Sequence, residues 1–236
     1  MTPQPQTQIN STEDLLKTLP SQEGLTITHN GRSYFRPYQT FEFNGETFEG
    51  LREMKDRKAL FQAQISKYLP TPEDRKAYLD VGCNMGYFVR AFTSEFEETV
   101  GVDYNPYYTW FAKTVTPKGL NATFHNYDIN SRGLASFFGT GQFDMITSLS
   151  MIEYITNKEQ FVKDIFDLLR PGGLCIFEGH SMDINLGHDK KYETLIRGAS
   201  EDWTVERLDT LTDNGINAPS TAMGRPVWVC LKKHTV

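Results

Sequence analysis

Long apolar runs are missing from this 236-residue chain; nothing in it approaches the ~20 consecutive apolar residues that span a bilayer. Cysteine is scarce. Cys83, Cys175 and Cys230 lie far apart, with neither paired spacing nor a metal-ligand pattern. Each falls in or beside an expected strand, which points to buried free thiols in a reducing compartment. Positive charge is not in excess either, and the formal net charge of −6 provides no electrostatic footprint for duplex nucleic acid or an anionic membrane. There is no internal repeat and no low-complexity segment beyond the first residues. The polar start, MTPQPQTQ, does not read as a signal peptide, and the expected compartment is the cytoplasm.

What is present is enough chain to bury one full core, and a rich supply of aromatics, 13% of residues. Residues 1–10 read as a disordered tail of Gln, Thr and Pro. Ser11-Thr12-Glu13-Asp14 is a helix start, with Leu15, Leu16 and Leu19 on one face and Pro20 as the stop. Residues 24–48 turn β-like and aromatic, and Asn44-Gly45 is a hairpin turn. Helical periodicity over 51–68 places Met54, Leu60, Phe61, Ile65 and Tyr68 as core candidates, until Pro70 and Pro72 end it. The expected organisation is an extension or lid over 11–74 followed by a core over 75–236.

From residue 75 strand and helix alternate, the pattern of a mostly parallel sheet covered on both faces. Strands are expected at 78–81, 99–102, 122–125, 145–149 and 174–178, then at 204–208 and 227–231. A helix over 157–169 closes at Pro171-Gly172-Gly173, and another is expected near 190–196. Gly224-Arg225-Pro226 is placed in the loop between the last two strands. The fold class is therefore α/β, Rossmann-like and doubly wound, with a seven-stranded sheet and an N-terminal helix and hairpin extension.

Ligands of such sheets sit outside the carboxyl ends of the strands. The first strand ends in Asp80 and a small-residue turn, Gly82-Cys83-Asn84-Met85-Gly86. A phosphate cradle would not place a carboxylate there, whereas a cationic ligand would be matched by one. The second strand delivers Asp103, roughly twenty positions on, where a carboxylate accepts from both hydroxyls of a ribose. The third delivers Asp128, placed for an exocyclic amine such as that of adenine. Each has a plainer role available: a packing turn, a helix cap for Asp103, a turn for Asp128. Their joint occurrence in order favours a single extended ligand.

These residues resemble a known family. Tyr78-Leu79-Asp80-Val81-Gly82-Cys83-Asn84-Met85-Gly86-Tyr87 is similar to the first motif of class I S-adenosylmethionine-dependent methyltransferases. Val102-Asp103, Asp128, Phe143-Asp144 and Leu169-Arg170-Pro171-Gly172-Gly173 resemble its later motifs in order. The resemblance covers about residues 75–180 and implies S-adenosylmethionine as cofactor. By it, Asp80 and the backbone of Gly82, Cys83, Asn84 and Gly86 hold the methionine part, Asp103 holds the ribose, and Tyr104 joins the cofactor-binding set. Asp128 and Ile129 take the adenine, while Leu149 and Ser150 line the sulfonium region. The family usually has a third small residue in its glycine turn, where this chain has Asn84 and Met85. A dinucleotide oxidoreductase would instead carry a fuller Gly-x-Gly-x-x-Gly pattern and would leave Asp80 unexplained.

For the acceptor, His180 immediately after the fifth strand is the first candidate for general base, with the plainer option of a backbone hydrogen bond. Glu178 is the next candidate; Glu153 is an alternate, with a helix N-terminal charge as its favoured plainer role. His188 and Asp189, expected in the following loop, are candidates to cover the acceptor; no spacing argues for a metal. In the extension, Tyr34, Tyr38, Gln39, Arg52 and Arg57 form an aromatic and basic set, and Tyr38 and Arg52 are the candidates to reach the methionine carboxylate. The expected acceptor is a hydroxyl or amine of a small metabolite or of a sugar or glycan precursor. The alternatives are an RNA or protein methyltransferase, and a non-catalytic cofactor-binding module.

Overall fold

The computed structural model describes residues 9–21, 25–52, 54–180, 186–212 and 224–234; the expected tail lies almost wholly outside them. Helix α1 (Thr12–Lys17) opens as its sequence dictates, with Ser11 Oγ accepting from the Asp14 N–H at 3.1 Å. Two hairpins follow, β1 (Thr26–His29) with β2 (Arg32–Phe35), and β3 (Phe41–Phe43) with β4 (Glu46–Phe48). Asn44-Gly45 turns the second as expected, with both residues at positive φ. Asn30-Gly31 turns the first in the same way, a signal of the same kind. Helix α2 (Lys55–Tyr68) begins a turn later than its periodicity suggests.

The core alternates as the sequence requires: β5 (Ala77–Val81), α3 (Tyr87–Ala91), β6 (Glu98–Asp103), α4 (Pro106–Val115), β7 (Ala122–Asn126), α5 (Ala135–Phe138) and β8 (Phe143–Leu149). Then come α6 (Lys158–Leu168), β9 (Leu169–Glu178), α7 (His188–Gly198), β10 (Trp203–Thr212) and β11 (Gly224–Lys232). Seven strands form one sheet in the order β10-β11-β9-β8-β5-β6-β7. The five from β9 to β7 are mutually parallel, while β11 is antiparallel to both of its neighbours. All five residues of β5 are buried, because helices cover both faces. Phe61, Ile65, Phe88 and Phe92 pack one face from α2 and α3. Phe161, Val162, Ile165 and Ile196 pack the other from α6 and α7.

Three expectations change. The Pro171-Gly172-Gly173 triplet ends α6 but does not precede the next strand. It lies inside β9, which starts at Leu169 and is thrown out of register with β8 between Phe143 and Met145. Gly224-Arg225-Pro226 is not loop but the start of β11. Pairing with β9 and β10 on either side outweighs the local turn preference of Gly and Pro. His188 and Asp189 open helix α7, and Asp189, 5% exposed, is held by Arg207 of β10 at 2.8 Å rather than facing an acceptor. Among the described residues no helix is long and apolar enough to cross a membrane, and the three cysteines are buried and free.

Candidate active site

The carboxyl ends of β5 to β9, the extension and the start of β11 enclose a cavity of about 610 Å3, inside the roughly 300–1,000 Å3 range of small-molecule sites. Of the residues singled out from sequence, Tyr38, Arg52, Asp80, Gly82, Asn84, Asp103, Tyr104, Asp128, Ile129, Leu149, Ser150, Glu178 and His180 line it. Two do not. Cys83 is buried with Val89, Ala112 and Phe124; Gly86 caps α3 at φ +78, where a Cβ would strike the Phe124 ring. Both shape the turn from behind. Gly82, at φ +79, is required in front, because a Cβ there would collide with the Met151 side chain.

Asp80 stands at the centre of the cavity wall, 2% exposed. It accepts from Thr147 Oγ1 at 2.8 Å; with that proton committed, the Tyr78 hydroxyl donates to Thr147 at 2.6 Å. Among the described residues no cation pairs with it. Burial therefore pushes its pKa up to about 7, against the hydrogen bond from Thr147 and with a small contribution from Asp103. An unpaired buried carboxylate fits a ligand that brings a cation, as the ammonium and sulfonium of S-adenosylmethionine do.

Asp103, at the end of β6, accepts the Asn84 N–H and the Asn105 N–H, both at 2.9 Å. Each oxygen keeps a second lone pair for a diol. Burial raises its pKa and the two N–H groups oppose the shift. The helix-capping role belongs to Asn105, whose side chain accepts from Tyr107 N at the start of α4. Asp128 is exposed, and one oxygen also holds its own turn through Asn130 N at 3.0 Å. Thus β7, β6 and β5 present Asp128, Asp103 and Asp80 side by side.

The Asn84-Met85 departure from the family pattern has a physical reason. Asn84 sits at φ +51 and its Oδ1 accepts the Met85 N–H at 2.8 Å, so the side chain itself locks the turn. Met85 is 1% exposed and packs with Leu15, Leu16, Phe41, Phe48 and Phe111, joining the extension to α4. Gln39, from the same extension, accepts the first N–H of α3, from Tyr87, at 3.1 Å. Beside it, Arg52 donates to the Tyr38 hydroxyl at 3.0 Å and lies over its ring.

At the far end Glu178, 1% exposed, takes Arg57 Nε at 2.9 Å, Arg225 Nη1 at 3.2 Å and Ser150 Oγ at 3.4 Å. Ser150, at φ +53, is also bonded to Arg225 Nη1. Arg225 escapes a reading of the sequence because its neighbours Gly224 and Pro226 look like loop. Tyr108, Tyr127 and Tyr154 also line the cavity, and nothing in their local sequence sets them apart from packing aromatics. Glu153 lies on the wall in a short 3₁₀ turn, and His180 stands where the cavity meets a neighbouring cleft that includes Tyr154, Lys191 and Tyr192.

A model of the methyltransferase domain matches residues 53–212. The chain belongs to the class I S-adenosylmethionine-dependent methyltransferases. This methyltransferase is 30% identical over 102 residues to the ubiquinone biosynthesis O-methyltransferase of Psychrobacter arcticus, covering 43% of this chain and 39% of that protein. Over 99 residues it is 28% identical to the 2-methyl-6-phytyl-1,4-hydroquinone methyltransferase of a Synechocystis strain, covering 42% and 30%. The methyltransferase therefore spans less than half the length of these curated relatives. Among solved structures, the N-methyltransferase NodS of Bradyrhizobium japonicum in complex with S-adenosyl-L-homocysteine superposes with a TM-score of 0.56 at 16% identity. That match covers 76% of this chain and 90% of NodS, a likeness of fold.

Proposed function

We propose that this chain moves the methyl group of S-adenosylmethionine to a hydroxyl or amine of a small metabolite or of a sugar or glycan precursor. The observation that carries the reading is the row of carboxylates at adjacent strand ends, with Asp80 buried and unpaired among the described residues. Asp128 and Ile129 would take the adenine, Asp103 and Tyr104 the ribose, and Asp80 the ammonium. Tyr38 and Arg52 would meet the methionine carboxylate. The sulfonium when bound supplies an electrophilic methyl carbon and a neutral thioether leaving group. The protein then has to align the nucleophile behind that carbon, exclude water and remove one proton.

His180 is the group we assign to the proton. It lines the cavity at its junction with the neighbouring cleft, whereas both oxygens of Glu178 are engaged by Arg57, Arg225 and Ser150. Calorimetric titration with S-adenosylhomocysteine tests the cofactor assignment; absence of binding at high micromolar protein refutes it. Asp103→Ala should weaken that binding by roughly 1.5–3 kcal/mol, the value of hydrogen bonds to a charged group. Turnover on a panel of hydroxyl and amine acceptors, followed by S-adenosylhomocysteine release, tests the reaction. His180→Ala should lower kcat by about 10²–10⁴-fold with S-adenosylhomocysteine affinity retained; unchanged kcat removes His180 from the role.

A further inference from the structure

At the β9 end of the cavity two guanidinium groups converge on one carboxylate. The Arg57, Arg225 and Glu178 side chains are 11%, 2% and 1% exposed. Arg225 and Ser150 already occupy Glu178 Oε1, and Arg57 takes Oε2 through Nε alone.

Among the described residues, the two terminal nitrogens of Arg57 have no hydrogen-bond partner, although the side chain is about nine-tenths buried and lines the cavity. With Nε tied to Glu178 the guanidinium plane is held. Its outer edge is then a two-donor fork of the kind that grips a carboxylate or phosphate with parallel hydrogen bonds.

The sheet order separates this fork from the cofactor's own acid. Asp128, Asp103 and Asp80 lie at the ends of β7, β6 and β5, whereas Glu178 lies two strands further, beyond β8. At ~4.8 Å per strand that is about 10 Å from the Asp80 strand. We infer that Arg57 is the anchor for an anionic group, a carboxylate or a phosphate monoester, carried by the methyl acceptor. Glu178 is a positioning residue that aims it, held in turn by Arg225 and Ser150. The assignment rests on the function proposed above.

The test uses protein saturated with S-adenosylhomocysteine, melted with millimolar sodium phosphate or sodium acetate at ionic strength fixed by sodium chloride. Binding to the folded state raises the melting midpoint. Wild type should gain over the chloride control. A gain with phosphate alone assigns a phosphate monoester, and a gain with acetate assigns a carboxylate. Arg57→Gln should lose the gain while keeping product affinity. Arg57→Lys, which keeps the charge without the fork, should lose most of it and decides the matter if Arg57→Gln does not fold. Glu178→Ala, which frees the guanidinium plane, should bind phosphate or acetate several-fold more weakly although an opposing charge is gone, an effect that a role through charge alone would not produce. No gain in wild type, or a gain unchanged in both Arg57 variants, overturns the inference. So does a loss of product affinity in Arg57→Gln, which would hand Arg57 to the methionine carboxylate. Failure of the underlying reading is visible earlier, as failure of the wild type to load product at all.

Discussion

Asp80 carries an electrostatic cost that the fold does not relieve by itself. Its carboxyl is fully inside, with one hydroxyl donor and no cation among the described residues, and titrates near pH 7 in the unliganded protein. The folded state therefore holds this proton more tightly than the unfolded chain, whose value is near 3.8. Stability from this residue is fully present below about pH 4, falls as pH rises towards 7, and is level above it. The shift corresponds to roughly 4 kcal/mol. Asp80→Asn should make the unliganded protein more stable at pH 8, by up to that order, and should flatten the profile between pH 4 and 7 in a denaturant series. The same variant should bind S-adenosylhomocysteine poorly. In wild type, affinity should fall about tenfold per unit as pH drops below 7, with proton release detectable by calorimetry in buffers of different ionisation enthalpy. Cofactor affinity independent of pH between 5.5 and 7 would contradict the ion-pairing role.

Strands that look independent in sequence are stitched at their starts by a single carboxylate. Asp144, the second residue of β8, accepts the N–H groups of Lys76 and Ala77 at 2.7 and 2.8 Å and is gripped by Arg170 of β9 at 2.8 Å. The register shift that contains Pro171, Gly172 and Gly173 lies beside it. Asp144→Ala should cost roughly 2–4 kcal/mol, because the buried Ala77 N–H, the half-buried Lys76 N–H and a guanidinium lose their acceptor. Urea denaturation checks this, and a change within ±0.5 kcal/mol would show that water replaces the carboxylate. The element boundaries show why sequence pattern reaches only so far. The central parallel strands β5, β6 and β8 are readable because both faces are buried, so each appears as an apolar run. The beginnings of β9 and β11 are not, because Pro171, Gly172, Gly173, Gly224 and Pro226 signal turns locally, while the pairing that keeps them in the sheet comes from strands distant in the chain.

Across the whole molecule, the extension is tied to the core at the cofactor turn itself. Met85 lies among Leu15, Leu16, Phe41, Phe48 and Phe111, and Gln39 caps α3. Met85→Ala should destabilise the protein by roughly 2–5 kcal/mol. It should also raise hydrogen exchange in residues 11–48 more than in β5 and β6, and loosen product binding as the turn loses its backing. Equal exchange in both regions would mean that the extension and core do not depend on this contact.

The ligand class and the α/β fold could be read from the amino-acid order, because Asp80, Asp103 and Asp128 each sit at a strand end and the periodicity marks those ends. So could Tyr38, Arg52 and His180 as wall candidates. The anionic-acceptor end could not. Arg57, Glu178 and Arg225 are separated by 121 and 47 positions, and none carries a local signal of its neighbours. Nor could the reason for Met85, which looks like a defect in a glycine turn until the extension is folded against it. Periodicity and strand-end chemistry are local properties of the chain. Charge balance in a buried pocket depends on which distant side chains the sheet order and helix packing bring within a few ångströms, and only the folded chain decides that.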